Sequence, residues 1–268
     1  MDSYRVGDIA VNVVNRAQPG ARPPVLLVHG AGHGAWCWDG WMRQLAREGW
    51  EAHALSLRNH PPSGAVDAET FCTRLSVSDY VADVASVAAG IGRPAVVVGH
   101  SMGGIVVQSF AATNHEAAIA PAGMVLMTAA PPGQLGPIRD APLPTSAPVT
   151  LDPATIAQRY FAGAPAAVVA QAVMKIVGES PSVMNEYSLG EGVPIARDAI
   201  RCPMLVLSAG LDGSTVPKDS RIADYYDADY IHKGETGHDM MLEPGADVLL
   251  NEVLAWVEAS VMAPGSSH

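Results

Sequence analysis

Gly99-His100-Ser101-Met102-Gly103 is the stretch of this chain with the clearest chemical meaning. A serine with glycines two residues to either side, set between an apolar run and a helical pattern, can sit on a sharp turn with its hydroxyl exposed. The small flanking residues let strand and helix approach closely. The helix N-terminus favours negative charge beside the oxygen. Such a hydroxyl attacks a carbonyl carbon once a base removes its proton. Further along, Asp212 lies in a loop (210–217) just past the apolar run 204–208, and His238 lies in a loop (235–241) before the last helical pattern. His238 is the expected base. Asp212 is the expected acid that fixes its tautomer and stabilises the imidazolium. Asp239 is a weaker substitute, because adjacent side chains seldom face each other suitably. His100 and His232 read as structural.

An oxyanion formed at Ser101 needs two donors already in place. The run from His29 to Trp36, with Gly30, Gly32 and Gly34, can turn away from a strand end and present backbone N–H groups. The expected donors are the N–H groups of Ala31 and of Met102, the residue after the serine. Two rival readings of the run are weaker. Its third glycine comes one position early for a dinucleotide-binding turn, and Ser56-Leu57-Arg58 stands where the next strand would close on an acid. His29 and His33 have the spacing of a helical metal pair, but a glycine-rich loop is not a helix and no carboxylate is expected nearby. Neither a cofactor nor a metal is expected.

The elements that must position these groups alternate. Residues 25–28, 95–98, 123–127 and 204–208 are short, apolar and β-rich, as parallel strands buried on both faces should be. Weaker strands are expected at 9–14, 51–57 and 229–232. Helical spacing appears at 38–48, in the segment opening at Ser78, taken as its N-cap, and at 247–261. Alternation of this kind implies an α/β fold with a mainly parallel central sheet flanked by helices. Residues 131–198 break the rhythm. The segment begins proline-rich, then reads as short helices around 154–160 and 165–177 with no clear strand, and is expected to be an inserted, largely helical cap. The core is then 1–130 with 199–262, and 263–268 is expected to be a disordered tail.

The 268 residues, 49% hydrophobic and 16% charged, suit one α/β domain with an insertion. A net charge of −11 argues against a nucleic-acid or anionic-membrane surface. No apolar run approaches the roughly 20 residues that span a bilayer. Cys37, Cys72 and Cys202 form neither a paired framework nor CxxC spacing, and with no signal peptide legible the expected setting is cytoplasmic. A homodimer is left open.

The segment from His29 to Trp38, HGAGHGAWCW, together with Gly99 to Gly104 and the Asp212 and His238 loops, resembles the plant methylesterase and hydroxynitrile lyase group of α/β-hydrolases and its bacterial esterase relatives. The resemblance implies the α/β-hydrolase fold, with the order Ser101, Asp212, His238 as its triad. The lyases of that group carry threonine after the first histidine and lysine directly after the catalytic one. Gly30 and Asp239 stand there instead, which favours ester hydrolysis. Trp36, Trp38, Tyr160 and Phe161 are read as walls of the substrate pocket, with Met102 and Met174 also available. Arg58 and Arg139 are the few cations expected nearby, so a small neutral or partly apolar ester is expected, split through an acyl-enzyme. Two alternatives stay open: a lyase using the Ser–His pair as general base, and a non-catalytic small-ligand receptor.

Overall fold

The computed structural model describes residues 1–16, 22–214 and 219–262; the tail expected at 263–268 lies outside them. Eight strands form one sheet: β1 Asp2–Val6, β2 Ile9–Val14, β3 Val25–Val28, β4 Ala52–Leu55, β5 Val96–His100, β6 Gly123–Met127, β7 Met204–Ala209 and β8 Asp229–Lys233. Their order across the sheet is β1-β2-β4-β3-β5-β6-β7-β8. β1 and β2 pair antiparallel, and everything from β4 to β8 is parallel.

Side-chain alternation explains why the central strands read as unbroken apolar runs. Leu26 and Val28 enter one core, while Val25 and Leu27 enter the other on the opposite face. In β5, Val97 joins the first core, and Val96 and Val98 join the second. Helices cover both faces, α1 Asp39–Arg47 and α9 Ala246–Trp256 on one and α2 Ala68–Thr73, α3 Val77–Ile91, α4 Met102–Asn114 and α8 Ser220–Tyr226 on the other, while α5 Pro153–Tyr160, α6 Ala166–Lys175 and α7 Pro181–Ser188 lie in the segment between β6 and β7.

The chain leaves β3 for β4 on one side and later returns to place β5 on the other. This reversal makes the carboxyl ends of β3 and β5 a topological switch point, where α/β sheets open a crevice. The loop from His29 and the turn at Ser101 both start there. Asp212 follows β7 and His238 follows β8, along the same edge.

Several expectations are corrected. The edge strand β1 is unpredicted because its side chains are mostly exposed or half-buried and it lacks an apolar run. α3 is capped by Ser76, not Ser78. The Ser76 hydroxyl accepts from the Asp79 N–H while the Asp79 carboxylate accepts from the Ser76 N–H, a reciprocal arrangement that Ser78 does not make. Between β6 and β7, α5 and α6 lie close to their expected spans, but α7 is an addition, with Ser180 as N-cap and Pro181 opening the helix. The segment carries no strand beyond an isolated antiparallel bridge between Val149 and Glu179.

Candidate active site

Ser101 occupies a strained left-handed conformation, φ 52° and ψ −121°, between the last residue of β5 and the first of α4. The strain is held by backbone hydrogen bonds. The Ser101 N–H donates to Met127 C=O (3.0 Å), and its C=O accepts from the N–H groups of Gly104 (2.8 Å) and Ala130 (2.9 Å). A Cβ at Gly103 would sit 2.5 Å from His29 O and 2.6 Å from Val28 O, so only glycine lets α4 start this close to β3. Similarly, a Cβ at Gly30 would lie 2.8 Å from the Ser101 Cβ.

The His238 side chain is buried, and its Nδ1 donates to Asp212 Oδ2 at 3.0 Å. The other Asp212 oxygen accepts from the Ser214 N–H (2.6 Å). The His238 carbonyl accepts from Thr128 Oγ1 (3.0 Å) and His100 Nε2 (3.2 Å), and the Tyr160 ring lies 5.3 Å from its ring. Burial opposes charging of His238, but the Asp212 carboxylate, its hydrogen bond, and the nearby Asp239 and Asp219 prevail and raise its pKa. His100, equally buried and beside His238, is pushed down to about 3. Asp219 is driven up to about 7 by burial and by the charge of Asp212.

Ser101, His238 and Ala31 line one cavity of about 120 Å³. Its remaining wall comes largely from residues 131–198, including Ile138, Val149, Leu151, Ile176, Val177 and Met184. The Ala31 N–H has no hydrogen-bond partner among the described residues, whereas the next two are engaged: Gly32 N–H with Glu179 Oε2 and His33 N–H with Gly30 C=O. Met102 is the first residue of α4, where the backbone N–H has no helical acceptor.

Of the aromatic residues read as walls, Tyr160 lines the cavity; Trp36, Trp38 and Phe161 do not. Trp38 is fully buried in the core against Trp41. Trp36 stacks on His33 with centroids 5.4 Å apart, and Phe161 packs with Ile156 and Ala172. Met102 points into the core beneath the sheet edge, and Met174 is 81% exposed on α6. Helical or loop position alone did not say which face each side chain would take. Arg58 is committed to Asp79 and Asp83, while Arg139 and the unpredicted Arg159 reach the cavity wall.

A carboxylate does lie near His33: Asp239 Oδ2 accepts from its Nε2 at 3.0 Å, across 206 residues of sequence. Asp239 is therefore turned beneath the site, not toward Asp212's place. His100, His238 and Asp239 have ligand-type atoms within 4.8 Å of one another, the grouping closest to a metal-binding set among the described residues. His238 Nδ1 and Asp239 Oδ2 are already committed to Asp212 and His33. Glu179 was the other miss. It is buried at the cavity wall, and Tyr80, His60 and Gly32, which donate to it, lie 99 to 147 residues away.

Comparison with known proteins adds the family. No curated protein matches the sequence. Among solved structures, the chain is similar to a methylesterase, MES16, from Arabidopsis (18% identity, TM-score 0.72, covering 88% of this chain and 99% of that one). It is also similar to polyneuridine aldehyde esterase (19%, 0.69, 87% and 99%) and to the esterase EaEST from Exiguobacterium antarcticum (16%, 0.69, 93% and 95%). At these identities the likeness is one of fold. The profile of the Alpha/beta hydrolase family matches residues 25–249, most of the chain. From the switch-point crevice to the last helix, this chain belongs to the alpha/beta hydrolase family.

Proposed function

We propose that the protein is a serine hydrolase that cleaves a small carboxylic ester through an acyl-enzyme on Ser101. The observation that carries this reading is the hydrogen bond between His238 Nδ1 and Asp212, with Ser101 and His238 on the wall of one cavity. With Nδ1–H donated to Asp212, the neutral ring carries its lone pair on Nε2, which can accept the Ser101 proton. Ser101 Oγ then bonds to the ester carbonyl carbon, and the N–H groups of Ala31 and Met102 receive the oxyanion. When the tetrahedral centre collapses, the carbon–alkoxide bond breaks and His238 returns its proton to the departing alcohol. Water repeats the sequence, releasing the acid and restoring Ser101.

The apolar side chains around the cavity favour a small, partly apolar acyl group. Arg139 and Arg159 add positive charge to the same wall, so the test panel should include an ester bearing a remote carboxylate. The lyase alternative draws no support from Asp239, whose buried carboxylate is engaged with His33. A cytoplasmic setting is part of this reading, in keeping with three free cysteines. Among the described residues no helix is long and apolar enough to cross a membrane.

The test is mass spectrometry of the protein after brief exposure to aryl esters. A substrate-derived acyl adduct on Ser101, with turnover lost by at least about a thousandfold in Ser101→Ala, is the expected result. Normal turnover by Ser101→Ala would sink the assignment, and binding of ester without turnover would favour a receptor.

A further inference from the structure

Gly32 is the residue of the anion loop most tightly held from outside. Its C=O accepts from the Val177 N–H (2.8 Å), and its N–H donates to Glu179 Oε2 (2.9 Å). It has φ +69°, and a Cβ there would lie 2.5 Å from Val177 O. Both flanks of this residue are therefore fixed by a stretch that belongs to the 131–198 segment and not to the sheet. Glu179 is buried and saturated with donors. Oε2 accepts from Gly32 N–H and His60 Nε2 (3.0 Å), while Oε1 accepts from the Tyr80 hydroxyl and the Ser180 N–H.

The charge at this point is compensated. His60 Nδ1 faces Arg58 C=O at 2.9 Å while Nε2 faces Glu179, so both ring nitrogens meet acceptors and the ring serves as an imidazolium. Burial disfavours that cation, but the Glu179 carboxylate outweighs it and raises the His60 pKa. Burial likewise disfavours the Glu179 anion, and His60 with its hydrogen bond and the backbone N–H donors lowers the Glu179 pKa instead. A buried ion pair of this kind is weak evidence for net stability, because desolvation offsets much of the attraction. What it supplies is a fixed geometry.

We infer that Glu179 is the positioning residue of the anion site. Oε2 anchors the Gly32 N–H, which leaves the Ala31 N–H as the loop donor at the cavity wall. This rests on the reading of Ala31 as an oxyanion donor. Glu179 lines the same cavity but makes no hydrogen bond to Ser101, and the role inferred for it runs through the loop. Because the oxyanion develops only as the carbonyl is attacked, a misplaced donor should slow the chemical step while leaving ester binding nearly intact.

The two carboxylate oxygens allow the inference to be tested against a purely structural role. Glu179→Gln keeps the shape but replaces an anion that accepts on every side with an amide having one acceptor. It should lower kcat for a small aryl ester by about 10- to 100-fold with KM within about threefold, and weaken a boronic acid inhibitor in parallel. Tyr80→Phe removes a donor to Oε1 alone, so it should lower Tm but reduce kcat by less than about threefold. If Glu179→Gln does not fold, Gly32→Ala replaces it. That variant retains Glu179 and His60 but forces the Gly32 peptide away from Val177, and should show the same kcat-selective loss.

Wild-type kcat in a folded Glu179→Gln, or equal kcat losses in Glu179→Gln and Tyr80→Phe that track Tm, would overturn the inference. Fluorophosphonate labelling separates this failure from failure of the hydrolase reading. If wild-type Ser101 is labelled and Ser101→Ala is inactive, the positioning role alone has failed. If Ser101→Ala still turns over ester, both have.

Discussion

The rings of His100 and His238 lie 4.8 Å apart, yet their surroundings send their basicities in opposite directions. Burial and the neighbouring imidazole push His100 down, so it stays neutral and donates to the His238 carbonyl. His238 gains Asp212 and is raised above its ordinary value of 6.5. On the proposed mechanism only the neutral ring accepts the Ser101 proton, so kcat/KM should fall as pH drops through a midpoint above 6.5. Asp212→Asn should move that midpoint down and lower kcat by about 10²- to 10⁴-fold, read from a pH–rate profile on an aryl ester. A wild-type midpoint well below 6.5 would remove Asp212 from its proposed role. The placement of Ser101, Asp212 and His238 beyond the ends of β5, β7 and β8 was legible because each follows a strand-like run. His33–Asp239 and Gly32–Glu179 were not, since nothing local links residues 206 and 147 positions apart.

At the scale of elements, legibility followed burial. Strands β3, β5, β6 and β7 are covered on both faces and so announce themselves as apolar runs. β1 and β8 lie at the edges, expose alternate residues, and look like loops or weak strands. The start of α3 was misplaced by two residues because Ser76 and Ser78 both suit an N-cap, and only the reciprocal pairing with Asp79 decides between them. Ser76→Ala should therefore destabilise the protein by about 1 kcal/mol in denaturant melts, and Ser78→Ala by less than about 0.5 kcal/mol. Equal losses would deny the capping box its role. The Ser180-Pro181 start of α7 was readable by the same logic and was passed over inside the proline-rich segment.

For the molecule as a whole, Asp219 makes stability depend on pH from outside the proposed triad. Asp219, raised to about 7 by burial and Asp212, must be charged against its environment once pH exceeds that value. Its unfolded form titrates near the ordinary 3.8, so the folded state loses stability as pH rises from about 3.8 to about 7, and the loss is complete above. Its Oδ1 is buried and has no hydrogen-bond partner among the described residues. Asp219→Asn should raise Tm at pH 8, with the advantage shrinking toward pH 4; a pH-independent difference would contradict this origin.

The Gly32 clamp also sets an order of events during synthesis. When Ser101 and its helix have left the ribosome, the loop beside them is still missing a partner encoded 147 residues after Gly32. Contacts of such separation close late, because the intervening chain must first be ordered. A nascent chain can thus hold Ser101 at the end of β5 while β7 and β8 are still to be made and Gly32 still lacks its clamp. On the proposed reading, an immature chain carries a muted serine, unable to attack esters while its own core is still exposed.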